Sequence, residues 1–368
     1  MSNRAITIKT PGKLMIAGEF AVLQPYHHLM VLAVNRYVYA TIEKTEKNRL
    51  TLSDFHLDNL EFGFDGNHVE IYSDDPRIRF VGNAMSIVYT YLNERQIEIA
   101  PVSLSIKSEL DDESGIKYGL GSSAAVVTSV INAILNSFLS DEPSKELIFK
   151  LSAISHVITQ GNGSGADIAA STYGGMLYYS SFQAEWLLDE YKRAKSISDL
   201  VEKDWKYFSV KPIEFPKGVQ FCVGWTGNAA STAKLVDEIL HLKEVNPTSF
   251  NNFLSHSKQA VEWFSTGMET KNIPLLLKGV KENRSALATV GNEADVLIET
   301  PKLAKLCDLA EKLDGAGKPS GAGGGDCGIA FMPTKENVDR LFEAWEVEGI
   351  KPLSILPSLY GSSIVNDA

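Results

Sequence analysis

Apolar and polar positions follow two spacings along the chain, and each spacing predicts one kind of element. Alternation at every second residue predicts strands at 5–9, 29–43 and 102–106. Spacing by three and four residues predicts helices at 78–92, 122–140, 144–159, 231–242, 249–265, 271–290 and 300–313. The length of 368 residues suggests two domains, with enough chain for a core in each.

The helix predicted from Ser122 follows directly on a glycine-rich stretch, residues 117–129. Ser122 is the predicted N-cap, because its hydroxyl can accept a hydrogen bond from the first helical turn. Such a junction offers backbone N–H groups and the positive end of the helix dipole, which suit a phosphate. Gly119 and Gly121 let the main chain approach a ligand closely. The hydroxyl of Ser123 is a possible ligand for the magnesium ion that accompanies a nucleotide.

Three interpretations of this stretch remain open. It is a tight turn before a core helix, or a dinucleotide fingerprint, or a phosphate loop of a kind other than Walker A. Gly119, Gly121 and Ala124 satisfy the G-x-G-x-x-A pattern of the fingerprint. That pattern belongs after the first strand of a domain, whereas here it lies deep in the chain. The stretch alone does not decide among the three.

A lysine follows a predicted turn near the N-terminus. Pro11 and Gly12 are a turn signal, so Lys13 is expected just after a chain reversal, within an apolar segment. Lys13 is either a surface residue or a fixed cation that faces an anion. Glu19 is a candidate to pair with Lys13 or to orient neighbouring groups. Arg36, within the strand predicted at 29–43, is a surface residue or a contact for a substrate phosphate.

Two further glycine-rich stretches interrupt predicted elements. Residues 160–175 contain three glycines within five residues, which end the preceding helix. Asp167 follows them, either as a helix cap or as a carboxylate that orients a nucleophile. Residues 318–331 include four glycines at 321 and 323–325, which fit no regular element, and then enter an apolar strand at 327–332. A flexible linker would be polar and solvated, so this stretch is interpreted as a buried loop beside a site.

Composition restricts the classes of protein that fit. Apolar residues make up 44% of the chain and charged residues 22%, as in ordinary soluble globular proteins. A net charge of −11 argues against a general nucleic-acid binder but allows a local basic pocket. The scattered Cys222, Cys307 and Cys327 argue against a zinc site or a disulfide framework and fit a reducing compartment. The chain shows neither an apolar run of membrane-spanning length nor a signal-peptide core, so a cytoplasmic location is expected.

Three segments together resemble the motifs of the GHMP small-molecule kinases, the superfamily of galacto-, homoserine, mevalonate and phosphomevalonate kinases. Residues 11–19 are similar to its first motif, residues 119–125 to its phosphate loop and residues 320–326 to its third motif. Their order and spacing agree with the superfamily, and they extend over nearly the whole chain. Within it, residues 160–167, 223–232 and 320–328 resemble the bacterial phosphomevalonate kinases most.

This resemblance implies a fold and a reaction. The fold would be α+β with two domains, a ribosomal S5 domain 2-like domain over residues 1–215 and a ferredoxin-like domain over 216–368, with the site between them. The reaction would be ATP-dependent phosphorylation of 5-phosphomevalonate to 5-diphosphomevalonate, on the mevalonate route to isoprenoids, with Mg²⁺. Alternatives are a mevalonate kinase or a non-catalytic small-molecule sensor on the same fold. An NAD-dependent dehydrogenase is a more distant third.

The resemblance also implies roles for particular residues. Lys13 would stabilise charge on the transferring phosphoryl group, and Asp167 would face the acceptor oxygen. At the position where mevalonate kinases carry a magnesium-binding glutamate this chain has His156, so only Ser123 is carried over as a metal ligand. Phosphates would bind over the N–H groups of Gly119, Leu120, Gly121, Ser122, Ser123 and Ala124, while Ser164, Ser320 and Ala322 would help to hold the substrate or the phosphates. Arg36 and Lys318 are candidates to bind the substrate's own phosphate.

The expected acceptor changes what is required of Asp167. A phosphate monoester has a second pKa near about 6, so its oxygen is largely ionised at neutral pH. A strong general base is then hardly required. We therefore expect Lys13 to contribute more to catalysis than Asp167, which would mainly hold the geometry, for example by pairing with Lys13.

Overall fold

The computed structural model describes residues 5–111, 116–215, 217–227 and 232–365. Within these ranges the chain forms two sheets, and helices pack against both. Each sheet with its helices forms one part of the molecule, called the first part and the second part in chain order. This mixture of helices and sheets in two parts confirms the expected α+β fold with two domains. Short 3-10 turns occur at Ala21–Leu23, Ser53–Phe55 and Pro76–Ile78.

The first sheet is built around one long central strand. Across it the order is β13-β1-β2-β6-β3-β4-β5, while β7 pairs with the first half of β2 and β8 pairs with β7. The strands are β1 (Ile6–Ala17), β2 (His28–Lys44), β3 (Arg49–Leu52), β4 (Leu57–Phe64), β5 (Val69–Ile71), β6 (Val102–Ser108), β7 (Met176–Ser180), β8 (Ser209–Ile213) and β13 (Ser363–Ile364). Only β3 and β6 pair in parallel among these described strands.

The helices of the first part form layers on this sheet. They are α1 (Arg79–Glu94), α2 (Ser122–Phe138), α3 (Lys145–Gln160), α4 (Ala166–Tyr173), α5 (Ala184–Arg193) and α6 (Ile197–Glu202). Helix α2 packs on β1 and β2, and α1 and α3 pack on α2. The inner face of α2 predicted from the spacing is buried, at Val127, Val130, Ile131, Ile134 and Leu135. The N-terminus of α2 is thereby fixed beside β1.

The second sheet is antiparallel, in the order β10-β11-β9-β12. Its strands are β9 (Gln220–Trp225), β10 (Ala316–Pro319), β11 (Cys327–Met332) and β12 (Lys351–Leu353). The helices of this part are α7 (Thr232–Val245), α8 (Pro247–Glu269), α9 (Ile273–Glu293), α10 (Pro301–Lys312) and α11 (Lys335–Val347). The four helices predicted between 231 and 313 are therefore present, with ends shifted by a few residues.

One apolar core runs from the first sheet into the second part of the chain. It includes Leu32 of β2, Phe264 of α8 and Phe331 of β11, all fully buried. Near its end the chain returns to the first sheet, because Ile364 of β13 pairs with Ile8 of β1. The division of the chain at residue 215 stays a prediction. No helix of the described ranges combines the length and the apolar character that crossing a membrane requires.

The turn predicted at Pro11 and Gly12 is wrong. Strand β1 continues through both residues, and its register with β2 shifts between them, as at a β-bulge. Gly12 is required by close packing, because a Cβ there would lie 2.8 Å from the Leu110 side chain and from the carbonyl oxygen of Leu120. The bulge places Lys13 in a strand next to the glycine loop and not after a chain reversal.

Candidate active site

The first glycine loop ends in a helix cap that differs from the predicted one. Gly121, in the left-handed conformation at φ 79°, is the N-cap of α2, and it provides no side-chain cap. Ser122 is already the first helical residue, so its prediction as the cap is wrong. Glycine takes the cap position because it adopts positive φ without steric cost. The N-terminus of α2 thus presents its backbone N–H groups and the positive end of its dipole toward the loop.

Lys13 is attached to this loop through both its main chain and its side chain. Its backbone N–H donates to the carbonyl of Leu120 at 2.8 Å, and its Nζ donates to the carbonyl of Gly119 at 3.0 Å. The residue is only 9% exposed. A methyl group at Gly121 would come within 3.0 Å of Lys13 Cγ and Cε. The ammonium group is therefore held at the phosphate-loop end of β1.

Asp167 lies in the first turn of α4, close to the same glycine. An added Cβ at Gly121 would be 3.6 Å from the Cβ of Asp167. The Oδ1 atom of Asp167 accepts a hydrogen bond from the N–H of Ile168 at 3.0 Å. The pairing expected with Lys13 is not formed; the Lys13 ammonium donates to the carbonyl of Gly119. Helix N-termini stabilise carboxylates, which explains how Asp167 is held without that pair.

The third glycine loop packs directly on the first. Ser320 Oγ accepts from the N–H of Met15 at 3.0 Å and donates to the Met15 carbonyl at 2.9 Å, which ties the loop to β1. Further along, a Cβ at Gly119 would lie 2.7 Å from the carboxyl group of Asp326. Asp326 itself has a positive φ of 52°, unusual for a residue with a side chain. Glycine at 119 is thus required for the two loops to meet.

Two adjoining cavities occupy the space between these segments. The larger, about 340 Å³, is called the loop cavity and is lined by Lys13, Met15, Leu110, Asp111, Lys117, Gly119, Leu120, Gly121, Ser122, Ser123, Gln160, Asp167, Ser320, Gly321, Ala322, Gly323 and Asp326. The smaller, about 160 Å³, is called the side cavity. It has an apolar wall that includes Val22, Leu23 and Leu29, and a polar wall that includes Ser164 and Asn162.

The loop cavity brings together residues from all three glycine-bearing stretches. Lys13, Ser123, Asp167 and Gly323, which are far apart in the sequence, all line it. The two cavities share Met15, Gln160, Asp167, Gly321 and Ala322. Two ligands, one in the loop cavity and one in the side cavity, would therefore meet beside Asp167. A cation, a helix N-terminus and a carboxylate around one space provide what a phosphoryl transfer requires.

Comparisons with known proteins agree with this geometry. The family model for the GHMP kinases N terminal domain matches residues 80–175, and that for GHMP kinases C terminal matches residues 267–350. The chain is 34% identical to the phosphomevalonate kinase of Streptomyces sp. (strain CL190), over 98% of this chain and 99% of that protein. The chain belongs to the GHMP kinase family.

Solved structures of relatives support the family assignment over the full length. A Lin0012 protein from Listeria innocua superposes with a TM-score of 0.92 at 39% identity, covering 99% of this GHMP kinase and 100% of that chain. The phosphomevalonate kinase of Streptococcus pneumoniae, in complex with phosphomevalonate and AMPPNP, superposes with a TM-score of 0.82 at 27% identity. That comparison covers 95% of this chain and 99% of the other.

Several residues predicted for the site of this GHMP kinase lie outside the loop cavity. Ala124 is fully buried inside α2 and is not part of the lining of either cavity. Ser164 lines the side cavity, and its Oγ accepts from the N–H of Ala166 at 3.3 Å. Arg36 lies on β2 and is not part of the lining of either cavity. Lys318 is fully buried and ion-paired with Glu19, which excludes it as a direct phosphate contact.

A histidine supports the serine predicted to bind metal. His156 of α3 is 3% exposed, and its Nε2 lies 3.1 Å from Ser123 Oγ. Burial lowers the pKa of His156, while the charge of Asp167 acts in the opposite direction. A neutral imidazole whose Nε2 lacks a proton accepts a hydrogen bond from the hydroxyl of Ser123 and leaves the serine lone pairs for a cation. From the sequence, His156 was identified only as the residue at the position of a glutamate.

The site includes other groups that the sequence argument left without a role. Lys117, Gln160 and Asp326 line the loop cavity. Each stands directly beside or within a glycine-rich stretch, and that position was the signal that could have identified them. No group of three or more His, Cys, Asp or Glu side chains in the described ranges could hold a metal ion. The oxygen of Ser123 in the cavity lining is a hard ligand of the kind that suits a magnesium ion bound mainly by nucleotide phosphates and water.

Proposed function

We propose that this chain transfers the γ-phosphoryl group of ATP to 5-phosphomevalonate, giving ADP and 5-diphosphomevalonate. One observation carries the proposal. The chain matches a phosphomevalonate kinase over 98% of its length, and it places Lys13, the α2 N-terminus and Asp167 around one cavity. The two adjoining cavities provide separate places for the nucleotide phosphates and the acceptor.

The nucleotide would bind with its β- and γ-phosphates in the loop cavity. Backbone N–H groups from Gly119 to Ser123, which line the loop cavity, are available to donate to phosphate oxygens at the N-terminus of α2. The dipole of this helix adds partial positive charge at the same place. Because Gly121 has no Cβ, the phosphates can approach the main chain there without a steric clash.

The acceptor would lie in the side cavity with its phosphate toward Asp167. The apolar wall with Val22, Leu23 and Leu29 suits the methyl and methylene groups of the acceptor. Lys13 stabilises negative charge on the group in transfer, as a positioned cation does in a water-poor site. Asp167, fixed at the start of α4, orients the acceptor oxygen at the boundary of the two cavities.

Ser123 would be the protein ligand of Mg²⁺ in this enzyme. Magnesium supplies positive charge that neutralises the β- and γ-phosphate oxygens. Ser123 lines the loop cavity, and its Oγ lies 3.1 Å from His156 Nε2; when the imidazole carries its proton on Nδ1, the hydroxyl donates to Nε2 and keeps its lone pairs for the cation. Serine and phosphate oxygens are the hard ligands that magnesium prefers.

The proposal predicts a clear order of substrates in a coupled assay of ADP release. With mevalonate, 5-phosphomevalonate, homoserine and galactose, we expect kcat/KM for 5-phosphomevalonate to exceed the others by at least about 10³-fold, as for sites built around a substrate's polar group. The Lys13→Met protein, purified in parallel, controls for a contaminating kinase. Faster turnover of mevalonate would instead identify a mevalonate kinase, and no turnover at all would favour a sensor.

The Ser123→Ala variant should require more magnesium. We expect the Mg²⁺ concentration for half-maximal rate to rise by about 10-fold or more, because one ligand and its His156 support are lost. Binding of Mn²⁺ to the AMPPNP complex, followed by electron paramagnetic resonance, should weaken in parallel. Ser129→Ala is the matched control, because this serine of α2 donates to the Val126 carbonyl at 2.9 Å away from the cavities. Unchanged Mn²⁺ binding in Ser123→Ala would exclude Ser123 as the ligand.

A further inference from the structure

A buried ion pair joins the first motif to the third glycine loop. Lys318 of β10 is 0% exposed, and Glu19, just after β1, is 4% exposed. The Lys318 Nζ donates to Glu19 Oε1 at 2.5 Å and also to the carbonyl of Pro319. These residues are 299 positions apart in the sequence. The pair therefore connects the end of β1 in the first sheet to β10 of the second sheet beside the side cavity.

Glu19 also binds a helix of the second part of the chain. Its Oε2 accepts from Asn283 Nδ2 at 3.0 Å, and Asn283 Oδ1 accepts from the N–H of Gly18 at 2.9 Å. Asn283, on α9, is 1% exposed. Both carboxylate oxygens of Glu19 thus have fixed donors, which hold the end of β1 against α9.

Glu19 of this pair lies at the wall of the side cavity, next to a loop that lines both cavities. Glu19 lines the side cavity together with Gly321 and Ala322, and the latter two also line the loop cavity. The N–H of Gly321 points to Glu19 Oε1 at 3.4 Å. The Glu19 carboxylate therefore contacts the start of the third glycine loop, and Lys318 holds this carboxylate in place. Without Lys318, that carboxylate would put a negative charge beside two anionic ligands.

A buried ion pair by itself is a weak stabilising device. Apolar residues of similar volume often stabilise a fold as well or better, because burial of two charges costs much of their attraction. The location of this pair at the cavity wall points instead to ligand binding. A positive charge beside a bound anion strengthens its binding and a negative charge weakens it. The effect is largest where water is excluded.

We propose that Lys318 and Glu19 are positioning residues of the active site. Lys318 neutralises Glu19 and holds its carboxylate on Gly321 and Asn283, so that the third glycine loop lies beside the anionic ligands without net negative charge. The inference rests on the proposed function for the acceptor, and on the family for the nucleotide.

The test compares Lys318→Met, Glu19→Gln and the double variant by calorimetric affinity for AMPPNP and for 5-phosphomevalonate. Lys318→Met leaves an unpaired carboxylate, so we expect both ligands to bind about 10-fold more weakly. Glu19→Gln removes the negative charge and keeps an oxygen acceptor, but it leaves Lys318 as an unpaired buried cation, so its affinities for both anionic ligands should fall clearly less than those of Lys318→Met, by no more than about 3-fold. The double variant is neutral again and should recover to within about 3-fold.

A purely structural role predicts a different pattern, in which both single variants lose affinity in step with their unfolding temperature. Arg284→Met is the matched control on α9, because Arg284 pairs with Glu299 at 2.8 Å and lines neither cavity. It should lower the unfolding temperature and leave both affinities unchanged. Equal losses in Lys318→Met and Glu19→Gln, or wild-type affinities in Lys318→Met, would overturn the proposal.

The remaining variants and the second ligand keep the test decisive in two cases. If Lys318→Met does not fold, Glu19→Gln and the double variant decide, and a 10-fold loss of affinity in either overturns the proposal. If the wild-type protein neither binds nor converts 5-phosphomevalonate, the proposed function fails. The AMPPNP affinities of the same variants then still test the positioning role.

Discussion

Replacing Lys13 with methionine is expected to lower kcat by about 10³-fold or more, whereas Asp167→Asn should lower it by only about 10- to 10²-fold at pH 8. Lys13 is bound through its backbone to Leu120 and through Nζ to Gly119, so its charge is fixed at the phosphate loop. Methionine keeps the length of the side chain and removes the charge. The acceptor phosphate is already ionised at this pH, so loss of a base has less effect.

Steady-state kcat with saturating ATP and 5-phosphomevalonate measures the difference between the two variants. Lys150→Met provides a matched control, because Lys150 is a buried lysine that donates to the carbonyls of Val201 and Lys203 at 2.9 Å, away from both cavities. It should lose stability and keep its kcat. A larger kcat loss in Asp167→Asn than in Lys13→Met would show that Asp167 is an essential base, contrary to this division of roles.

The parts of the fold that the sequence predicted well are those set by local pattern. The inner face of α2 followed from the helical spacing of apolar residues, and the helix predicted at 144–159 is present as α3. Convergence of the glycine loops was also predictable. Glycine is required where two backbones approach closely, and Gly119 against Asp326 is such a contact.

The errors arose where a distant residue decides the local conformation. Pro11 and Gly12 carry the local signal of a turn, yet pairing with β2 and packing against Leu110 and Leu120 keep β1 extended. Ser122 is a better capping residue than glycine by propensity. Gly121 is the N-cap instead, because the loop turns there, next to Lys13, in a left-handed conformation that glycine adopts without strain.

Electrostatic partners were the least predictable feature of the site. Lys13 and Lys318 both lie beside glycine motifs, and the sequence offered both as cations for a phosphate. Only the fold shows that Lys318 forms an ion pair with Glu19, while Lys13 lines the loop cavity. The spacing of residues along the chain does not show which lysine will pair with a buried carboxylate when the two are 299 positions apart.

Gly121→Ala is expected to lower kcat by about 10²-fold through Lys13, with only a modest loss of stability. A left-handed conformation costs alanine roughly 1–2 kcal/mol. The new methyl group would also lie 3.0 Å from Lys13 Cγ and Cε, closer than ordinary packing allows. Because the lysine side chain is flexible, it should move and carry its ammonium away from the phosphates, a displacement of the kind that costs about 10²-fold in rate.

A double-mutant cycle with Lys13→Met tests this route, because changes that act through the same group are not additive. In the Lys13→Met background, Gly121→Ala should reduce kcat by no more than about 3-fold. Gly218→Ala is the control for backbone strain alone, since Gly218 has φ +102° and an added Cβ there meets no heavy atom within 4 Å. It should lower the unfolding temperature without changing kcat. Independent, multiplicative losses in the cycle would mean that Gly121 acts on the phosphates directly, through the loop backbone, and not through the position of Lys13.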